Sequence, residues 1–136
     1  MELLNPKNWK PAKGYSNGVA AEGRQVFVAG QIGWDENAVF QSDDFAAQAE
    51  QAMRNVAAVL AEAGAEPRHL VRLTWYVTDK HEYLDRLDDL GAAYRAVFGR
   101  HYPAMTLVQV AALVEDRAKV EIEATAVLPD PGSPVV

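Results

Sequence analysis

Twice in its last third the chain alternates with a period of two residues. The first stretch is Tyr102-Pro103-Ala104-Met105-Thr106-Leu107-Val108-Gln109-Val110-Ala111, and the second is Lys119-Val120-Glu121-Ile122-Glu123-Ala124-Thr125-Ala126. A period of two belongs to β-strands, whose successive side chains point to opposite faces of a sheet. In the second stretch Glu121 and Glu123 fall on one face, with Val120, Ile122 and Ala124 on the other. The chain must therefore build a sheet with one apolar face to cover, and the rest of the sequence has to supply the cover.

Two helical stretches do so. Ser42-Asp43-Asp44 offers an N-cap and negative charge at a helix start. Phe45, Ala49, Ala52, Met53, Val56, Val59, Leu60 and Ala63 then recur at helical spacing up to Gly64. Asp79 is the expected N-cap of a second helix, with Tyr83, Leu87, Leu90, Tyr94, Val97 and Phe98 on one stripe and Gly99 as its stop. Between the helices, Leu70 to Thr78 is rich in β-branched and aromatic residues and reads as a strand, with Val71, Leu73, Trp75 and Val77 on one face. Gly18 to Ala21 and Gln25 to Ala29 read as two strands of a hairpin turned at Glu22-Gly23. The order ββ-α-β-α-ββ predicts an α+β domain, a mixed β-sheet with two α-helices packed on one face. A single domain over 1–128 is expected, followed by a flexible tail over 129–136 that holds three prolines.

Composition narrows the functional classes. The chain has 136 residues, 49% of them hydrophobic and 24% charged, which suits one ordinary globular domain. It has no cysteine, hence no disulfide framework and no thiol nucleophile, which is compatible with the expected cytoplasmic location. No apolar run reaches membrane-spanning length, so no membrane partner is expected. The net charge of −6 and scattered basic residues argue against nucleic acid as a partner. His69, His81 and His101 show no metal-ligand spacing and read as surface residues. The glycines form neither G-x-G-x-x-G nor a P-loop, and no G-x-S-x-G elbow is present. No metal and no cofactor are expected.

The two alternating stretches resemble the closing signature of the RidA/YjgF family, also called L-PSP, which reads roughly R-P-A-R-S/T-x-V-x-V, a loop, then x-x-E-I-E-A. The similarity continues upstream through Gly14-Tyr15-Ser16-Asn17, Phe27-Val28-Ala29-Gly30-Gln31-Ile32 and Val71-Arg72-Leu73-Thr74-Trp75-Tyr76-Val77-Thr78-Asp79, so it covers nearly the whole chain. The resemblance implies the chorismate-mutase-like YjgF fold and a homotrimer with pockets between subunits. It also implies a cofactor-independent deaminase that hydrolyses a small-molecule imine or enamine.

Carried over residue by residue, Glu121 matches the glutamate that positions or deprotonates water. On spacing alone, Glu121 and Glu123 read more readily as an ordinary solvated sheet face, and it is the resemblance that favours a chemical role for Glu121. Tyr15 matches a tyrosine bordering the pocket, although the residues before it are Lys13-Gly14 in place of Gly-Pro. Gly30 matches a glycine whose backbone N–H can face a carboxylate, and the backbone near Leu107 lines the same pocket. Three positions depart from the pattern. Ala29 stands where serine is common, Gly91 where several members carry asparagine, and Met105 where catalytically competent members carry the substrate-binding arginine. A guanidinium grips a carboxylate through two parallel charge-assisted hydrogen bonds, whereas methionine offers only polarizable apolar surface. The altered pocket is expected to be less receptive to small 2-imino acids. Trp34 is a candidate wall for a larger ligand, and Arg117 a candidate replacement cation. A ligand-binding or regulatory trimer without turnover is the alternative reading, and an endoribonuclease a weaker one.

Overall fold

The computed structural model describes residues 1–130, so all but the first two residues of the expected tail lie outside the described residues. The elements are β1 (Glu2–Leu4), β2 (Gly18–Ala20), β3 (Arg24–Ile32), α1 (Phe45–Glu62), β4 (Leu70–Val77), α2 (Lys80–Leu84), α3 (Leu87–Phe98), β5 (Ala104–Gln109) and β6 (Val120–Leu128). The main sheet has the order β3-β6-β4-β5. β6 runs antiparallel to both β3 and β4, while β4 and β5 are parallel, so the sheet is mixed.

Register sorts the sheet's side chains into two sets. Met105 pairs with Leu73, Leu73 with Ala124, and Ala124 with Val28. The next row on that face is Leu107, Trp75 and Ile122. Leu73, Trp75, Ile122, Ala124 and Val28 are all buried, and Met105 and Leu107 pack against them from the edge strand. This is the face that the helices cover. Phe45, Ala49, Ala52, Met53, Val56 and Leu60 of α1 and Leu90, Ala93, Tyr94 and Phe98 of α3 complete the core. The α+β class and the one-sided helical layer are those the periodicities predict.

The first helix starts as expected: the Asp44 carboxylate accepts the Ala47 N–H at 3.0 Å. Val59 departs from its predicted stripe and is exposed. The second helix is not continuous. It breaks at Asp85–Arg86 into α2 and α3, because Arg86 leaves the helical conformation (φ −125°). Its guanidinium binds Asp44 at 2.6 Å and Asp89 at 2.8 Å, tying the start of α3 to the start of α1. The Arg86 contact, helped by the Ala47 N–H, holds the Asp44 carboxyl below its ordinary range.

The expected hairpin also fails. Both strands exist, but β2 pairs with β1, which has no counterpart in the sequence reading, and β3 pairs with β6. Glu22-Gly23 is a crossing point where backbones nearly touch. A Cβ on Gly23 would stand 1.8 Å from the Leu128 carbonyl oxygen, and its φ of 145° suits only glycine. At the start of β4 a register irregularity between Leu70 and Arg72 puts Leu70 into the core in place of Val71.

Two histidines read as surface residues prove structural. His101 Nε2 lies 2.7 Å from the Leu70 carbonyl oxygen. His69 is buried, and its Nδ1 accepts the Glu66 N–H at 2.9 Å, which requires a ring with a free lone pair on that nitrogen. Burial first, and then neighbouring Arg68, push the His69 pKa below its ordinary 6.5. The fold thus prefers neutral His69. That preference stabilises fully above pH 6.5 and is lost as pH falls toward and below the depressed value. Thermal melts from pH 8 to pH 5 should show wild type losing stability more steeply below about pH 6.5 than His69→Gln, which cannot titrate. Parallel curves would contradict the role given to His69.

Candidate functional site

The face without helices carries the polar set. Its rows, read across the register, are Val108, Tyr76 and Glu121, then Thr106, Thr74 and Glu123, then Ala104, Arg72, Thr125 and Phe27. Phe27 is 72% exposed there, and Val108 is also exposed. Arg72, Thr74, Tyr76, Glu123, Thr125 and Phe27 line a cleft of about 350 Å³.

The two glutamates differ in their ties. Glu123 Oε1 accepts the Tyr76 hydroxyl at 2.5 Å, and that bond raises the phenol's pKa. Glu121 is half-buried, and no hydrogen bond or ion pair holds its carboxylate among the described residues. It lies instead across Gly30. A Cβ at position 30 would stand 2.7 Å from Glu121 Cδ and 2.9 Å from its Oε2. Gly30 sits in a register irregularity between Val28 and Gln31, where β3 departs from regular pairing with β6. The absent side chain makes room for the carboxylate.

The other predicted site residues lie elsewhere. Met105 and Leu107 are on the opposite, helix-covered face, at the outer edge of β5. Within one chain they cannot share a pocket with Glu121, since the sheet lies between them. Gly91 is on α3, where a Cβ would meet only Arg95, whose Nη1 is 3.1 Å away. Tyr15 is exposed beside Ser16, whose N–H and hydroxyl bind the Pro103 and Tyr102 carbonyls at 3.0 Å and 2.6 Å. That strap sets the amino-terminal segment along the start of β5. The single chain thus separates these residues into two groups: Glu121 with Gly30 on the open face, and Tyr15, Met105 and Leu107 at the β5 edge, with Gly91 on α3.

Trp34 and Arg117 are both engaged. Trp34 packs on Phe40 with centroids 5.8 Å apart, and Arg117 lies over the Phe40 ring at 5.3 Å while binding Asp43 at 2.9 Å. The connection holding Arg117 is fixed by buried Gln48, which donates to the Arg117 and Ser42 carbonyls and accepts the Lys119 N–H. Gly33 gives Gln48 its place, since a Cβ there would be 2.6 Å from the Gln48 Cβ. A second cleft, of about 500 Å³, lies along this connection, with its Arg117–Asp43 and Lys119–Glu82 pairs closed on themselves.

Trp75, expected in the core, is buried and meets Tyr83 edge-on at 6.2 Å, but its Nε1 has no hydrogen-bond partner among the described residues. Among those residues, no three His, Cys, Asp or Glu side chains gather as a metal site. None of the described helices is long and apolar enough to cross a membrane. Tyr76, Arg72 and Arg95 escaped the sequence reading. The first two were signalled by the alternation of β4, which puts them opposite the apolar set.

Comparison with known proteins agrees on one family. The family model described as endoribonuclease L-PSP matches residues 6–128. A 2-iminobutanoate/2-iminopropanoate deaminase of Salmonella typhimurium is 36% identical over 108 residues, covering 77% of this chain and 80% of that protein. A solved member of the conserved Rid family from Yersinia pestis superposes with a TM-score of 0.83 at 33% identity, over 93% of this chain and 98% of that one. Escherichia coli TdcF, solved with bound serine, gives 0.66 at 31% identity over 91% and 93%.

The contact between Gly30 and Glu121 is open to direct test. Gly30→Ala should destabilise the protein by about 1–3 kcal/mol, the usual cost of overpacking. In a Glu121→Ala background the same change should cost markedly less, because the clashing carboxylate is gone. Urea unfolding of the four proteins measures the difference. Equal costs in both backgrounds would mean that Glu121 does not lie against Gly30.

Proposed function

The chain belongs to the RidA/YjgF family, and on that footing we propose that it is a cofactor-independent imine or enamine deaminase, assembled as a homotrimer with each pocket shared by two subunits. The observation that carries this reading is the uncommitted Glu121 carboxylate, set on an open sheet face beside the bulge at Gly30. A carboxylate without a structural partner is available for proton transfer, while Glu123, tied to Tyr76, is not. In the reaction, water adds to the C=N carbon and Glu121 carries one of its protons to nitrogen; Glu121 then carries the remaining hydroxyl proton to the same nitrogen, so that the C–N bond breaks and ammonia leaves as the carbonyl forms. The other half-site, from the β5 edge of a neighbouring subunit, holds the imine with Tyr15 and the backbone near Leu107. Support comes from the relatives named as 2-iminobutanoate/2-iminopropanoate deaminases and from the relative solved with serine, a small carboxylate-bearing amino acid.

Met105 sets the limit on substrate. Its row mates on the helix face are apolar, so it cannot clamp a carboxylate next to the imine carbon. The pocket suits a larger imine rather than a small 2-imino acid. Met105 also favours a second reading, a ligand-binding trimer that keeps the pocket without turnover. An endoribonuclease has least support, because Arg54, Arg68, Arg86, Arg117 and Lys119 are each paired with a carboxylate and form no basic tract.

Ammonia release from imines generated in situ tests the reading. Wild type should hydrolyse 2-iminopropionate poorly and bulkier imines faster. Glu121→Ala should lose hydrolysis while sedimentation still shows a trimer, since its role is chemical. Met105→Arg should raise affinity for 2-oxobutyrate by roughly thirty-fold, the scale of one buried charged contact. Release unaffected by Glu121→Ala would overturn the mechanism, and a monomer in solution would remove the shared pocket.

A further inference from the structure

We propose that Arg95 supplies the anion-binding cation of this pocket, so that the preferred ligand carries its negative charge at the far end of an apolar chain rather than beside the reacting carbon. The inference rests on the shared-pocket reading above and adds to it a specificity residue and a ligand class.

Three observations place the cation. Arg95 is exposed, and no carboxylate lies within ion-pair distance of it among the described residues, a state it shares with Arg24, Arg72 and Arg100 but not with Arg54, Arg68, Arg86 and Arg117. Its guanidinium is folded back along α3 over Gly91, with Nη1 3.1 Å and Cζ 3.9 Å from where a Cβ at 91 would be. Any larger residue at 91 would push that guanidinium off the helix. The glycine, costly inside a helix by about 1 kcal/mol relative to alanine, thus has a physical role.

The flank is the correct one. Helical spacing of about 100° per residue carries the surface of α3 from Leu90 through Tyr94 and Phe98 to Gly91 and then Arg95. Tyr94 stacks on Tyr102 with centroids 5.3 Å apart, and its hydroxyl binds the His101 carbonyl at 2.6 Å. Tyr102 leads directly into Pro103 and β5. Tyr94 thus ties α3 to the segment that enters the β5 edge carrying Met105 and Leu107.

The same flank continues with an apolar stripe. Leu87, Gly91 and Arg95 follow at intervals of four, and Leu87 is 51% exposed although it is a large apolar residue. Leucine, bare glycine backbone and then a guanidinium make a track that fits an apolar chain ending in a carboxylate. A substrate whose only carboxylate sits beside the reacting carbon offers no anion at that end of the track, whereas one with a distal carboxylate does.

Calorimetric titration of the assembled protein tests this with two unreactive keto acids, 2-oxobutyrate and 2-oxoglutarate, which differ in the distal carboxylate. Wild type should bind 2-oxoglutarate roughly ten-fold or more tightly than 2-oxobutyrate, and Arg95→Gln should abolish that preference. Arg95→Lys should retain part of it, and Gly91→Val should weaken it by displacing the guanidinium. Equal affinities in wild type, no measurable binding of either acid, or a preference that survives Arg95→Gln would each overturn the proposal. So would an Arg95→Gln protein that binds both acids normally but dissociates, since Arg95 would then be pairing with a neighbouring subunit. Ammonia release by wild type from an uncharged imine reads the deaminase chemistry separately, because that substrate has no carboxylate for Arg95 to hold.

Discussion

The register between β4 and β6 is the constraint on which the rest depends. Trp75 opposite Ile122 and Tyr76 opposite Glu121 decide that one set faces the helices and the other does not. A slip of one residue would bury two glutamates under α1 and α3 and expose Ile122 and Val120, so the register is specified by burial itself. Once it is fixed, β5 in parallel with β4 has no choice. Met105 and Leu107 go with Leu73 and Trp75, and Thr106 and Val108 go with Thr74 and Tyr76. The separation of Glu121 from Met105 across the sheet is therefore a consequence of folding, and the proposed pocket needs two copies of the chain.

Polar side chains that serve the site indirectly are those with complete partners. Gln48 secures the β5–β6 connection through three hydrogen bonds, and Arg86 locks the break between α2 and α3 onto Asp44. Both hold backbone that carries no periodic burial signal of its own. Against that background, three groups without partners bear on the proposed pocket: the half-buried Glu121 carboxylate on the open face, the exposed Arg95 guanidinium on α3 and the buried Trp75 indole N–H.

What could be read from sequence divides along physical lines. Alternation and helical spacing depend on local burial, so strands, helices and the one-sided cover were legible in Val120 to Leu128 or Phe45 to Leu60. Pairing partners depend on distant segments. Nothing local in Gly18-Val19-Ala20 shows that it will pair with Glu2–Leu4, and Glu22-Gly23 looks like a turn although Gly23 is there to pass the Leu128 carbonyl. The helix break at Arg86 is set by Asp44, 42 residues away. At the site, the resemblance pointed to individual residues but not to the face of the sheet on which each lies. It also drew attention to Arg117, which Asp43 and Phe40 hold, and away from Arg95.

Mixing subunits tests most directly whether a pocket is completed between copies. Glu121→Ala protein, damaged on the open face, would be unfolded and reassembled in equal proportion with Leu107→Trp protein, damaged at the β5 edge. Each parent alone should release no ammonia from an imine that wild type hydrolyses. If each site draws Glu121 from one subunit and the β5 edge from the next, random assembly restores about one quarter of wild-type activity. Mixed trimers no more active than the parents would contradict the shared site and place the chemistry within a single chain.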